Sequence, residues 1–215
     1  CSVRRQRQMC IRDRCYSFPL VGCTSADILI SEGHTSGDPE DYIEIQNISG
    51  SDCDMSGWLL DDSDGFSDWT FPTAVIPAGG FWYGDEDAST SGTYDANGVL
   101  LSTITGSFGS GLSSGGDEIW LTDGTDTLMV TLGPSVGGST FSQSFDVNGV
   151  GCYTYPTPGA TNNSCLTPTP GCTDPLADNY DATANYDDGS CTYPLQPMVN
   201  LFFSEYAEGS SNNKY

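Results

Sequence analysis

The segment Tyr42-Ile43-Glu44-Ile45-Gln46 alternates apolar and polar side chains. Because successive side chains of a strand point to opposite faces, both isoleucines lie on one face and the glutamate and glutamine on the other. The same alternation returns at residues 118–122 and 127–132. These three segments therefore predict β-strands that are buried on one face.

Further short strands are predicted on both sides of this segment, separated by clusters of Gly, Ser, Asp and Pro. They are residues 27–30, 57–61, 69–71, 80–83 and 99–101. No window between residues 26 and 162 holds an apolar pattern at helical spacing. The pattern predicts an all-β fold, either a sandwich or a barrel.

Several short motifs follow one another in a fixed order around these strands. They are Ile30-Ser31-Glu32 and residues 41–47, 55–62, 70–72, 76–80, 115–121 and 156–162. The ordered set resembles a lamin tail domain over residues 26–162, within a domain that we place at 22–165. The resemblance implies an immunoglobulin-like β-sandwich. One departure is Ser31 before Glu32, where members of the family usually begin with Asn-Glu.

The resemblance also implies a cellular context, because bacterial domains of this kind occur in secreted or surface proteins. We expect a non-catalytic extracellular module that serves adhesion, spacing or display, with an unknown protein or glycan at the cell surface as its partner. The alternative is an accessory domain of a secreted nuclease or other hydrolase, with the catalytic domain outside this sequence. The complete reading frame would discriminate between the two.

Charge excludes two classes of partner. The 215 residues carry 29 acidic and 6 basic side chains, and no Lys or Arg lies between residues 15 and 213. Nucleic acids and anionic lipid surfaces are bound mainly through Lys and Arg. We therefore expect no nucleic-acid binding, and no apolar run is long enough for a membrane span.

Residues 1–14 differ from the rest of the chain, with five Arg and one Asp. This stretch resembles translated sequencing-adapter sequence, and we interpret it as non-native. Setting aside Cys1 and Cys10 leaves seven cysteines, with one His in the chain and no CxxC pair. Disulfides are therefore favoured over zinc, which indicates an oxidising compartment. The sequence leaves open the pairing of Cys15, Cys23, Cys53, Cys152 and Cys165.

Residues 171–194 form a short acidic segment bracketed by Cys172 and Cys191, for which we predict a disulfide that staples the loop. The segment resembles a Gly-Cys-Thr-Asp-Pro…Asp-Asp-Gly-Ser-Cys repeat of secreted bacterial proteins, similar to thrombospondin type 3 repeats. Carboxylate oxygens are the ligands that Ca²⁺ collects. We predict weak calcium binding, with a solvated acidic spacer as the alternative. The predicted ligands are Asp174, Asp178, Asp181, Asp187 and Asp188.

The remaining segments indicate a modular chain. Residues 166–170 (LTPTP) predict a stiff, extended linker. Residues 199–215 repeat the Ser-Glu motif, with the same ten-residue step to a Tyr as in Glu32 to Tyr42. We expect a second lamin tail domain to start there and to be cut off, with further domains of the same polypeptide beyond it.

Candidate catalytic residues are few. We interpret His34 as a surface-loop residue, because no partner for acid–base chemistry lies near it in sequence. Glu32 and Glu44 could form a carboxylate pair for glycoside chemistry, but their strand positions favour cross-strand contacts. Residues 61–65 (Asp-Asp-Ser-Asp-Gly) could hold a cation in a turn, although an ordinary turn is favoured. We therefore predict that this chain is not an enzyme.

Overall fold

The computed structural model describes residues 7–11, 14–18, 23–37, 40–62, 65–66, 68–86, 91–106, 108 and 111–194. For residues 7–11 and 14–18 only the backbone is described. The chain divides into two compact units, of which the first ends at Pro168 and the second begins at Thr169.

Short β-strands dominate the described residues, together with 3-10 turns at Ser25–Asp27 and Gly138–Thr140. The strands are β1 (Arg7–Ile11), β2 (Arg14–Phe18), β3 (Ile28–His34), β4 (Tyr42–Asn47), β5 (Cys53–Asp54), β6 (Leu59–Asp61), β7 (Trp69–Thr70), β8 (Val75–Ile76), β9 (Phe81–Asp85), β10 (Gly92–Tyr94), β11 (Leu100–Thr103), β12 (Asp117–Thr122), β13 (Thr127–Leu132), β14 (Ser142–Phe145), β15 (Gly151–Thr154), β16 (Pro170–Gly171) and β17 (Tyr186–Asp187).

Two antiparallel sheets build the first unit. The larger sheet has the strand order β11-β10-β9-β4-β3-β14-β15, and the smaller one has the order β13-β12-β6-β7. A short β5-β8 pair accompanies them. Apolar side chains from both sheets share one buried cluster, with Ile45 and Trp82 from the larger sheet and Leu60 and Leu121 from the smaller. This arrangement confirms the predicted all-β, immunoglobulin-like sandwich.

Large aromatic rings fill the centre of this core. Trp82 is fully buried, and its ring centroid lies 4.8 Å from that of Phe71 and 5.3 Å from that of Trp69. Gly84 leaves the space that the Trp82 ring needs, since a Cβ there would lie 2.3 Å from the ring. Aromatic side chains bury the most apolar surface per residue, so this cluster is a main source of stability.

A β-bulge at Ser31 sets the outer face of the larger sheet. Ile30 pairs with Ile45 and Glu32 pairs with Glu44, so Ser31 is one extra residue on β3. The extra residue brings both Ser31 and Glu32 opposite Glu44, on the face away from the shared core. The bulge therefore concentrates polar side chains at one place on the outer face.

The amino-terminal strands were not expected. Residues 1–14 show neither helical nor strand periodicity in the sequence, whereas β1 pairs with β2 in antiparallel register from Arg7↔Phe18 to Ile11↔Arg14. Strands that are adjacent in sequence need only a short loop to pair, so pairing costs little chain entropy even without an alternating pattern.

Disulfides lie in both units. In the first unit Cys23 is bonded to Cys53, and Cys152 to Cys165. These two bonds account for four of the five cysteines whose pairing the sequence leaves open, while the side chain of Cys15 lies outside the described residues.

The second unit is a small loop closed by one disulfide. Cys172 and Cys191 are bonded, with an S–S distance of 2.03 Å. The short parallel pair of β16 and β17 and a bridge between Cys172 and Tyr180 organise its backbone. Residues 199–215, where we expect a second copy of the domain to start, lie outside the described residues.

Candidate functional site

The outer face of the larger sheet holds a pair of buried glutamates. Glu32 on β3 and Glu44 on β4 are directly opposite in the strand register, and both are 0 % exposed. Their side chains are covered by residues 155–162, which follow β15 and which we call the closing segment. Two carboxylates at this depth are unusual, because burying a charge is costly unless it is paired.

The donors around the glutamates come mostly from the closing segment. Thr157 donates its backbone N–H and its hydroxyl, at 2.9 Å, to Glu32. Gly159 donates its N–H to Glu44 Oε2 at 2.7 Å. From the sheet itself, the hydroxyl of Ser142 donates to Glu32 and that of Ser31 donates to Glu44 Oε1 at 2.6 Å. The pair therefore fixes the closing segment onto the sheet.

A second contact fixes the same segment. Asn162 donates its side-chain N–H to the carbonyl of Ser31 at 2.8 Å, and its Oδ1 lies 2.9 Å from the hydroxyl oxygen of Thr157. The bulged residue of β3 and the end of the closing segment are thus joined directly. The motif at residues 156–162 therefore has a structural role, because it binds to the motif at residues 30–32.

Burial changes the protonation of this pair. Loss of solvent raises the pKa of Glu44 to about 8, and repulsion from Glu32 adds to the rise. Burial also raises the pKa of Glu32, although its hydroxyl donors oppose the rise. No Lys or Arg exists between residues 15 and 213 to neutralise either carboxylate. A proton is therefore the counter-charge of this pair at neutral pH.

His34 lies beside the pair rather than in a surface loop, so the sequence-based interpretation is wrong. It is 1 % exposed at the end of β3. Its ring stacks on Tyr42 with centroids 5.2 Å apart, and its nitrogens lie 3.3 Å from the carbonyls of Glu40 and Ser139. The Gly- and Ser-rich sequence after His34 suggested a loop, but the strand extends through His34 because β4 pairs along it.

This arrangement does not offer a catalytic pair. Glycoside chemistry needs two carboxyl groups on either side of a sugar, about 5 Å or more apart. Glu32 and Glu44 are instead fully buried under the closing segment, and their oxygens accept its N–H and hydroxyl groups. Glu32 and Glu44 therefore make a cross-strand contact, as their strand positions indicate.

A second acidic cluster lies near the end of β6. Carboxylate oxygens of Asp61, Asp62 and Asp68 all lie within 4.8 Å of one another. Asp61 is 2 % exposed and accepts the N–H of Asp68 at 3.2 Å. Burial and the neighbouring Asp61 raise the pKa of Asp62. Residues 61–65 stand out in the sequence as a possible cation turn, but Asp68 does not, because only the fold brings β7 beside β6.

The predicted calcium ligands of the second unit mostly support local turns. Asp181 accepts the N–H and hydroxyl of Thr183, Asp187 accepts the N–H of Gly189, and Asp188 accepts that of Ser190. Asp174 accepts the N–H of Leu176 and the hydroxyl of Tyr193. Each of these four carboxylates therefore has a folding role in the loop.

The same residues are not gathered into one cluster. Over the described part of the chain, three carboxylates that could share a metal ion are found at Asp61, Asp62 and Asp68. Within the same described residues, no comparable group forms among Asp174, Asp178, Asp181, Asp187 and Asp188. Calcium binding by the loop accordingly stays a prediction.

Comparison with known proteins gives the family. The family model named Lamin Tail Domain matches residues 23–135. This chain belongs to the lamin tail domain family. That family is a general immunoglobulin-like module without catalysis of its own. No curated protein and no solved structure matches the chain. Among the described residues, no helix is both long and apolar enough to cross a membrane.

Two strands outside the matched residues also belong to the larger sheet of this lamin tail domain. β14 pairs with β3, and β15 pairs with β14. The closing segment that follows them supplies Thr157 and Gly159 to the buried glutamates. The sandwich of the lamin tail domain therefore uses residues on both sides of position 135.

Proposed function

We propose that this chain is a non-catalytic extracellular structural or interaction module of a modular secreted or cell-surface bacterial protein. Its work is adhesion, spacing or display. The lamin tail domain supplies a rigid body, the Cys-stapled acidic repeat at residues 171–194 supplies a second small unit, and residues 199–215 begin another lamin tail domain. Residues 166–170 form the linker.

The observation that carries this proposal is the set of three intramolecular disulfides. Every cysteine from residue 23 onward is bonded to another within its own unit. Disulfides of this kind persist in oxidising compartments and are rare in the cytosol. They also stabilise a body that has no Lys or Arg with which to pair its many carboxylates.

The acidic residues support a structural role over a catalytic one. The buried pair of Glu32 and Glu44 holds the closing segment, and the exposed aspartates of the second unit hold turns. With no Lys or Arg between residues 15 and 213, the partner is a protein or a glycan and not a nucleic acid.

Two measurements test the proposal on the full chain. A thiol reagent followed by mass spectrometry is expected to leave the six bonded cysteines unlabelled until the chain is reduced. Beads coated with the oxidised chain are expected to bind saturably on arrays of surface glycans and secreted proteins, whereas reduced and alkylated chain does not. Free thiols at any of these six cysteines in the folded chain contradict an extracellular role. Hydrolysis of DNA or glycosides by the chain contradicts a non-catalytic one.

A further inference from the structure

A groove of about 480 Å³, lined by both polar and apolar groups, opens in the first unit, away from the buried glutamates. Its lining comes from the 3-10 turn before β3, the first residues of β3, the strand β13, and the turn that joins β14 to β15. Ile28, Ile30 and Val130 are 3 %, 1 % and 5 % exposed and belong to the main core. The groove therefore reaches down to the core of the sandwich.

Large apolar side chains also stand exposed at the groove. Ile48 is 44 % exposed, Met129 is 43 % exposed and Val147 is 72 % exposed, and all three line it. Single exposed apolar residues are ordinary on a protein surface. Three of them around a concave site that continues into the core form the kind of patch that marks an interaction surface.

The walls of the groove are held in place by local bonds. The disulfide between Cys23 and Cys53 anchors the chain two residues before Ser25, which lines one wall. On another wall, Asp146 accepts the N–H groups of Asn148 and Val150 and so fixes the turn between β14 and β15. A site with fixed walls loses little entropy when it binds a partner.

The walls are negatively charged. Hydrogen bonds from Val150 and Asn148 lower the pKa of Asp146, and bonds from neighbouring backbone N–H groups lower that of Asp123. Asp146 lines the groove, and Asp123 lies beside it, because its carboxylate accepts the N–H of Ser25, which is part of the lining. Both side chains are ionised at neutral pH, and no Lys or Arg between residues 15 and 213 balances them.

We infer that this groove binds an extended segment of a partner protein, with an apolar side chain packed against Val147 and Lys or Arg residues beside it. The inference rests on the proposed function and names the partner class for that function. The exposed apolar side chains at the groove favour a protein segment with an apolar residue, and Asp146 favours a basic sequence. Residues 15–213 of a second copy contain no Lys or Arg and so carry the wrong charge for this site.

The test uses a random-peptide phage library panned against the immobilised full chain, followed by anisotropy titrations with the enriched peptides. Enriched peptides are expected to combine apolar residues with Lys or Arg. Val147→Asp is expected to weaken their binding about tenfold, since it buries a charge against an apolar side chain. Asp146→Asn keeps a side-chain acceptor for the turn, and it is expected to weaken binding and reduce its dependence on salt.

The matched control is Leu101→Asp. Leu101 on β11 is 55 % exposed, is apolar and does not line the groove, so the same substitution there tests only the added charge. Its peptide affinity is expected to equal that of the native chain. Circular dichroism and thermal melting of all three variants verify that each one folds.

Several results overturn the groove assignment. They are the absence of enriched peptides, enrichment of acidic peptides, equal affinity in Val147→Asp, or a loss of affinity in Leu101→Asp instead. Self-association of the native chain that Val147→Asp abolishes also overturns it, because the occupant is then a second copy. If beads coated with Val147→Asp bind the arrays as well as native beads do, the chain is still an interaction module. In that case the groove is not its binding site.

Discussion

Glu32 and Glu44 face each other across β3 and β4, and together they hold a segment more than 100 positions later in the chain, through Thr157 and Gly159. The carboxylate pair thus joins the first strands of the sandwich to the residues that follow its last strand. Because both side chains are buried without a cation, the attachment of the closing segment depends on how many protons the pair carries.

The donors indicate which glutamate is protonated. Glu32 accepts bonds from the Thr157 N–H, the Thr157 hydroxyl and the Ser142 hydroxyl, all of which favour an ionised carboxylate. Glu44 accepts backbone N–H groups of Gly159 and Ala160, and its other neighbour is the hydroxyl of Ser31, which can rotate to accept instead. The proton therefore belongs on Glu44 Oε1, where it donates to Ser31.

The first prediction is that the thermal stability of the chain falls as pH rises from about 5 to 8. A glutamate in the unfolded chain has a pKa of roughly 4.3, whereas burial raises that of Glu44 to about 8. The folded state then binds more protons than the unfolded state throughout this window, so the free energy of unfolding decreases with pH. Calorimetry at intervals of pH is expected to show a falling Tm that levels above pH 8.

Glu44→Gln is the matched variant for this effect. A glutamine accepts the Gly159 N–H and donates to Ser31 Oγ, as the protonated glutamate does. We expect a gain on the order of 1–2 kcal/mol at pH 8, a change in Tm of about 2–4 °C per kcal/mol, and a smaller slope of Tm against pH. A native Tm that rises from pH 5 to 8, or a variant with the native slope, contradicts the assignment.

The second prediction concerns Gly159. Its φ is +74°, and a Cβ there would lie 2.9 Å from the ring of Tyr94. Gly159→Ala therefore combines backbone strain with a steric clash and is expected to cost about 2–4 kcal/mol in thermal or urea unfolding.

Gly124→Ala serves as the control for backbone strain alone, because Gly124 has φ +88° but no atom within 4 Å of its Cβ position. We expect it to cost about 1–2 kcal/mol. If the two alanine variants lose the same stability, the closing segment does not pack against the sheet as tightly as the contact with Tyr94 indicates.

The strands with the clearest alternation could be predicted from sequence. Residues 127–132 match β13 at both ends, and residues 118–122 fall within β12. In β4 both isoleucines enter the shared core, as predicted. In these segments the local alternation of side chains agrees with the packing that the whole domain requires. Their periodicity is therefore sufficient to predict the strands.

Other parts of the fold leave no such signal. β14 (Ser142–Phe145) is mostly polar, and it is a strand because β3 and β15 pair with it on either side. The polar face of β4 was expected in general terms, but its burial under residues 155–162 depends on contacts made across the whole domain. Single-sequence periodicity carries no information on contacts at that separation.

The third prediction compares how much each of the two disulfides of the first unit stabilises the fold. The Cys23–Cys53 bond spans 30 residues and the Cys152–Cys165 bond spans 13. A longer loop restricts the unfolded chain more, so replacing both cysteines of a pair by serine is expected to cost about 3 kcal/mol for the shorter loop and roughly 0.5–1 kcal/mol more for the longer. Thermal melting of the two double variants, each with the other disulfide intact, measures the two losses of stability. A larger loss for the shorter loop contradicts the prediction.

The last prediction is weak calcium binding by the second unit. Asp174, Asp181 and Asp188 have a lowered pKa because backbone and hydroxyl groups donate to them, so all three are ionised at neutral pH. Asp187 and Asp188 are adjacent in a loop that one disulfide closes. A divalent cation relieves the repulsion between such charges. Because the carboxylates are engaged in turns, affinity is expected on the order of 0.1–1 mM, the range of extracellular sites.

Calorimetric titration of the full chain with Ca²⁺ tests this, and two variants locate the site. Asp188→Asn keeps an oxygen for the N–H of Ser190 while removing one charge, and it is expected to weaken binding severalfold. Asp62→Asn removes a charge from the acidic cluster of the first unit and is expected to leave the titration unchanged. Replacing Cys172 and Cys191 by serine is expected to abolish binding, since the open loop no longer holds its carboxylates near one another. If the variant without this disulfide still gives a heat of calcium binding and Asp62→Asn gives none, the ion binds in the first unit. The loop of the second unit is then only a spacer.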